Sequence, residues 1–100
     1  MTQLVPSVAV LPPPNNFPAY ARAVANIEPL SAHEEKSLVR KWLKNRDQDA
    51  AKLLVLAHLY LVVKLVRAHE GYGLNLGDLA QEGTVGLMKA VHKFDGRPGV

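Results

Sequence analysis

Residues 53–66, Leu-Leu-Val-Leu-Ala-His-Leu-Tyr-Leu-Val-Val-Lys-Leu-Val, constrain the fold more than any other stretch of this chain. Wound as a helix they are apolar nearly all round, and such a helix is buried by neighbours on several sides. The run is shorter than the roughly 20 residues a membrane span needs, and it contains His58 and Lys64. With 100 residues, 48% of them hydrophobic, the chain is long enough for one small domain around a packed core. The run is therefore expected to be the central helix of a bundle. Asp47 or Asp49 caps its start, and it runs to about Glu70. Gly71-Tyr72-Gly73 ends it, with a glycine suited to the left-handed position after a helix.

The flanking segments are helical too. Phe17, Tyr20, Val24 and Ile27 share one face of a short helix, and Pro29 ends it. Ser31-Ala32-His33-Glu34 is a capping box, opening a helix to about Asn45. Leu38 and Trp42 lie on one face of that helix, and Lys36, Arg40 and Lys44 form a basic stripe on another. Asn75 caps a last helix, to about Phe94, with a core stripe of Leu76, Leu79, Ala80, Gly83, Leu87, Val91 and Phe94. No strand pattern and no internal repeat appear. The expectation is an all-α fold, about four helices forming a partial bundle over residues 17–100. Residues 1–16 read as a flexible leader, because Pro12-Pro13-Pro14-Asn15-Asn16 continues neither a helix nor a central strand.

Several function classes fall away on chemistry. The chain has no cysteine, hence no disulfide, no Cys-ligated zinc and no thiolate nucleophile. His33-Glu34-Glu35 lacks the second histidine of H-E-x-x-H, and His58 and His69 lie about three helical turns apart. Neither a metal nor another cofactor is expected. Asp78 and Glu82 stand at i and i+4, a pairing more often found on a solvated or partner-binding face than in a catalytic site. No phosphate loop follows a strand and no nucleophile elbow is present, so an enzyme is not expected. A small helix-turn-helix DNA-binding module is disfavoured, since the last helix opens with carboxylates that repel phosphates. The net charge of +3 permits an anionic partner without demonstrating one. The apolar N-terminus has no preceding basic residue and is interrupted by Pro6, which does not fit a secretory signal; a cytoplasmic protein is expected.

The last helix is the candidate functional element. Gly83 and Gly86 sit inside it, each costing roughly 0.5–1 kcal/mol relative to alanine, so something comes close there. With the core stripe turned inward, Gln81, Val85, Met88 and His92 lie on or near the opposite side, flanked by Asp78, Glu82 and Thr84. An apolar centre ringed by hydrogen-bonding groups is how an interface is built. The alternative, equal on periodicity, is that Val85 and Met88 pack against the first or second helix.

At this point the residues resemble a known family. Residues 78–91, D-L-A-Q-E-G-T-V-G-L-M-K-A-V, resemble the D-L-I-Q-E-G-N-I-G-L-M-K-A-V signature of the bacterial sigma-70 family. Leu30-Ser31-Ala32-His33-Glu34-Glu35 is similar to its L-S-x-E-E-E segment, and His58-Leu59-Tyr60-Leu61-Val62-Val63 to its N-L-R-L-V-V/I segment. Phe17 onward resembles the helix of region 1.2. The Gly71-Tyr72-Gly73 form, His58 before Leu59 and Gly99-Val100 look more like the heat-shock branch than the housekeeping branch. The resemblance implies promoter-directed transcription initiation. It implies docking on the β′ clamp coiled coil of core RNA polymerase through Leu59, Val62, Asp78, Leu79, Gln81, Glu82, Thr84 and Met88. Tyr20 and Arg22 match positions that touch promoter DNA, and Ala51, Lys52 and Val55 match a segment where chaperones and a membrane protease act. Thr84 stands where the family has asparagine, Ala80 where it has isoleucine and Tyr60 where it has arginine, which puts single contacts in doubt. The aromatic helix that holds the −10 bases follows this segment in the family. The chain is thus expected to dock without reading or melting a promoter. A stand-alone helical adaptor or regulator of RNA polymerase is the alternative reading.

Overall fold

The computed structural model describes residues 11–95, and the described residues are all-α. Five helical segments run in the order α1 (Phe17–Ala25), α2 (Ala32–Asn45), α3 (Gln48–Ala57), α4 (Leu59–Arg67) and α5 (Leu76–Lys93). Local chemistry sets their ends. The Asn16 side chain accepts from the Ala19 amide, and Pro18 stands in the first turn of α1, where a missing N–H costs nothing. The capping box of α2 is complete: the Glu34 amide donates to Ser31 Oγ at 3.1 Å, and the Ser31 amide to Glu34 Oε1 at 2.8 Å. Hydrogen bonding by the Ser31 amide, and then by its hydroxyl, holds the Glu34 carboxyl below its ordinary pKa. Arg46 ends α2 in the left-handed region at φ +49°. Asp47, not Asp49, caps α3, accepting from the Asp49 and Ala50 amides. Asn75 caps α5 through the Asp78 amide.

The central helix is not continuous. It breaks at His58, where φ is −109° and ψ is 7°. The His58 amide bonds Val55 O instead of Leu54 O, and the imidazole Nδ1 takes Leu54 O at 2.8 Å. A side chain thus replaces a backbone donor, and the helical ladder is interrupted there. The apolar run is shared between two cores, and the division falls between Leu54 and Val55, before the break. Ala50, Ala51 and Leu54 of α3 meet Trp42 of α2. Val55, Leu56, Leu59, Val62, Val63 and Val66 meet Phe17, Tyr20, Ala21 and Val24 of α1, together with Ala80 of α5.

Burial on all sides, expected for residues 53–66, is not realised. Tyr60, Leu61 and Leu65 of α4 are exposed, because α1 and α5 both pack on its Leu59, Val62, Val63, Val66 side. The first ten residues of the expected leader lie outside the described residues. Leu11 packs on the larger core, and the chain at Pro14 and Asn15 crosses the first turn of α5.

Candidate docking face

α5 is positioned from behind by three devices. Its stripe of Leu76, Leu79, Ala80, Leu87 and Val91 faces the larger core, as its spacing predicted, with Ala80 fully buried. At Gly83 a Cβ would meet Val62 Cγ1 at 3.0 Å, so the missing side chain lets α4 approach. At its far end Phe94 O accepts from Trp42 Nε1 at 3.3 Å and from Arg46 Nη1 at 3.4 Å, which ties the helix to α2.

The outward side is left free. Val85 and Met88 are each 45% exposed, so neither packs into the bundle. Asp78, Gln81, Glu82, Gly86 and Lys89 surround Val85 along a shallow groove. Around Gly86 no atom lies within 4 Å of where a Cβ would stand. Periodicity left Val85 and Met88 undecided between interface and packing; the tertiary arrangement sends both outward. Sequence reasoning missed Lys89. The signal was its position seven residues after Glu82, two turns further along the same face. His92 sits apart from this face. Its ring meets Trp42 edge-on at 5.1 Å, and its Nε2 lies 3.1 Å from Gln48 Oε1.

The other residues singled out from the sequence are dispersed. Asp78, Gln81, Glu82 and Met88 share the outward face, while Leu79 is half-buried against the core. Leu59 and Val62 are core residues, 2% and 6% exposed, and nothing bound to the surface reaches them as they stand. Thr84 turns inward: its hydroxyl donates to Ala80 O at 2.7 Å and shares a hydrogen bond with Tyr20 Oη at 3.1 Å. Tyr20 is therefore 2% exposed, joining α1 to α5, where its ring has no access to a base. Arg22 is exposed. Ala51 and Val55 are buried between helices, and Lys52 faces solvent. Among the described residues no group of His, Asp and Glu is placed to hold a metal. No described helix is long and apolar enough to cross a membrane.

Burial raises the Tyr20 pKa, and the hydrogen bond with Thr84 offsets part of that rise. The fold thus favours the neutral phenol. The resulting stability is complete below pH of about 10 and is lost as pH climbs through the folded pKa. Tyr20→Phe is expected to cost about 1 kcal/mol at neutral pH and to remove this alkaline loss. Urea midpoints from about pH 8 to about pH 11 compare the two proteins; a Phe variant that loses stability as steeply as the wild type contradicts the assignment.

The described residues thus form an all-α bundle whose α5 turns an amide, two carboxylates and two apolar side chains outward. Residues 54–100 match the family model for sigma-70 region 2, and the chain belongs to the sigma-70 family. It is 38% identical over 95 residues to the RNA polymerase sigma factor RpoH of Caulobacter vibrioides strain NA1000 / CB15N, and equally to that of strain ATCC 19089 / CIP 103742 / CB 15. The alignment takes in 95% of this chain and 32% of each relative, so the chain spans about a third of the length of the curated relatives it matches.

Proposed function

We propose that the protein serves transcription initiation at heat-shock promoters, and that the outward face of α5 docks on the β′ clamp coiled coil of core RNA polymerase. One observation carries this reading: Val85 and Met88 stay 45% exposed in a helix whose remaining large apolar residues face the core. An isolated apolar side chain on a surface is ordinary, but two neighbours framed by Gln81, Asp78 and Glu82 form an adaptable centre with a polar rim. Asp78 and Glu82 favour a partner with basic groups at that rim. Leu59, Val62 and Leu79 then act from behind, fixing the position of α5, and Thr84 does the same through Tyr20. For DNA, the exposed Arg22 remains as a contact of α1. For control by chaperones and a protease, Lys52 is reachable directly, whereas Ala51 and Val55 become reachable once helices separate. Such a factor works in the cytoplasm beside the polymerase and has no catalytic role of its own.

The test is Gln81→Ala combined with Met88→Ala. Both positions are exposed, so helicity by circular dichroism should be unchanged. Affinity for an isolated β′ coiled-coil fragment should fall at least tenfold, about 1.4 kcal/mol. Unaltered affinity with unaltered helicity removes α5 as the docking element.

A further inference from the structure

The basic character of the chain is concentrated in residues 36–46, which follow the acidic first turn of α2 (Glu34 and Glu35) and run to its C-cap. The twelve Lys and Arg exceed the nine Asp and Glu by three over the whole sequence. Five of those cations, Lys36, Arg40, Lys41, Lys44 and Arg46, fall between positions 36 and 46, where no acid stands. The seven cations elsewhere are outnumbered by all nine acids, so the rest of the molecule is acidic. The α5 face, with Asp78 and Glu82, belongs to that acidic part.

The geometry of α2 keeps these charges available. Its main neighbour is α3, and the first turn and a half of α2 is exposed on every side. Lys36, Arg40 and Lys44 line one side of a shallow groove, one helical turn apart, and all three are exposed; the one acid of the groove, Glu35, lies at its N-terminal end, 3.9 Å from His58 Nε2. None of them, nor Lys41, forms an ion pair among the described residues. Arg46 is engaged, bonded to Phe94 O and lying 4.7 Å over the Trp42 ring. Four residues of helix rise about 6 Å, so the row presents cations at regular intervals over about 12 Å.

We propose that this row binds the phosphate backbone of duplex DNA without regard to sequence. An acidic protein helix fits less well. The apolar residues beside the row, Val39 and Leu43, pack toward the Trp42 cluster and are half-buried, so neither stands out as Val85 and Met88 do on α5 as an anchor for a protein partner. Single-stranded nucleic acid fits less well too, because it is held by stacking on aromatic rings. The one aromatic ring of α2, Trp42, is 2% exposed. Regularly spaced cations with neither an apolar nor an aromatic anchor match a regularly charged double strand. The surface is separate from the α5 face and does not depend on the docking proposed for it.

A salt titration of the full 100-residue chain with a fluorescent, mixed-sequence duplex tests this. Three phosphate contacts give a log–log salt slope of about −2 to −3. Lys36→Gln with Arg40→Gln and Lys44→Gln should weaken low-salt binding at least tenfold and bring the slope close to zero, with helicity kept. Lys64→Gln with Lys89→Gln and Lys93→Gln removes the same charge elsewhere and should keep the slope within about one unit. Gln81→Ala with Met88→Ala should bind the duplex as the wild type does. If the first triple variant loses helicity, Arg40→Glu alone should still weaken binding severalfold. Equal losses in the two triple variants overturn the proposal, as does tighter binding to single strands than to duplex. Displacement of the duplex by oligoglutamate of equal charge overturns it as well.

Discussion

Trp42→Ala is expected to lower stability by about 3–5 kcal/mol, the range for removing a large buried aromatic. A domain of this size commonly has about 5–15 kcal/mol in total. Trp42 is 2% exposed and is the largest member of the smaller core, with Ala50, Ala51 and Leu54 of α3 around it. Its indole does three further things. Nε1 donates to Phe94 O at 3.3 Å, the ring carries the Arg46 guanidinium at 4.7 Å, and its face or edge meets the His92 ring at 5.1 Å. Alanine removes all of these together and leaves a cavity between small residues that cannot close it. The melting temperature should fall by more than about 12 °C. The loss should be uneven. The larger core around Leu59 contains no atom of Trp42, so amide exchange should accelerate first in α2 and at the end of α5. Trp42→Phe, which keeps a ring but no N–H donor, should lose less than half as much. A Trp42→Ala protein melting within about 3 °C of the wild type would show that α2 is not held by this residue. The same variant should impair duplex binding although every cation of α2 is retained, because the row needs a fixed helix to hold its spacing.

Gly77→Val should be the second most damaging single change, costing about 1–3 kcal/mol or more. A Cβ at Gly77 would stand 2.7 Å from Asn15 Cα and 3.1 Å from both Asn15 O and Pro14 O. These are backbone atoms of a segment stiffened by Pro12, Pro13 and Pro14, with no flexible tip to swing aside. Either this segment lifts or α5 shifts. If it lifts, the packing of Leu11 and the Asn16 cap of α1 are weakened with it. Gly86→Ala is the contrast: no atom lies within 4 Å, the residue is helical, and its stability should rise by up to about 1 kcal/mol. Urea denaturation of both variants reads the difference. Equal and small effects at the two positions would mean that residues 14 and 15 do not hold α5 in solution.

These two glycines show where sequence reading stops. Gly83 and Gly86 were legible as anomalies, since each weakens a helix interior. Gly83 is explained by Val62, whereas Gly86 faces open solvent in this structure. Gly77, the tightest approach of all, carried no such signal. It stands in the first turn of α5, and the backbone it meets is more than sixty residues earlier in the chain. Tyr20 shows the same limit. Its place on the apolar face of α1 was legible, but the phenol bond to Thr84 spans a sequence separation of 64 and only assembly could reveal it. That bond also explains why Thr84 leaves the outward face it was assigned to.

The sequence by itself determined what nearest neighbours along the chain decide. Helical periodicity, the Ser31–Glu34 capping box, the Asn75 cap and the core stripe of α5 all lie within a few residues of the groups that cause them. So does the segregation of cations into positions 36–46. The tertiary structure alone decided how the apolar run 53–66 is shared. Its burial depends on how many helices arrive and from which side, and α1 and α5 arrive on the same side of α4. Val85 and Met88 were left in balance by periodicity for the same reason. A helix wheel sets the angle between side chains, but only the positions of the neighbouring helices say which angle meets protein and which meets water.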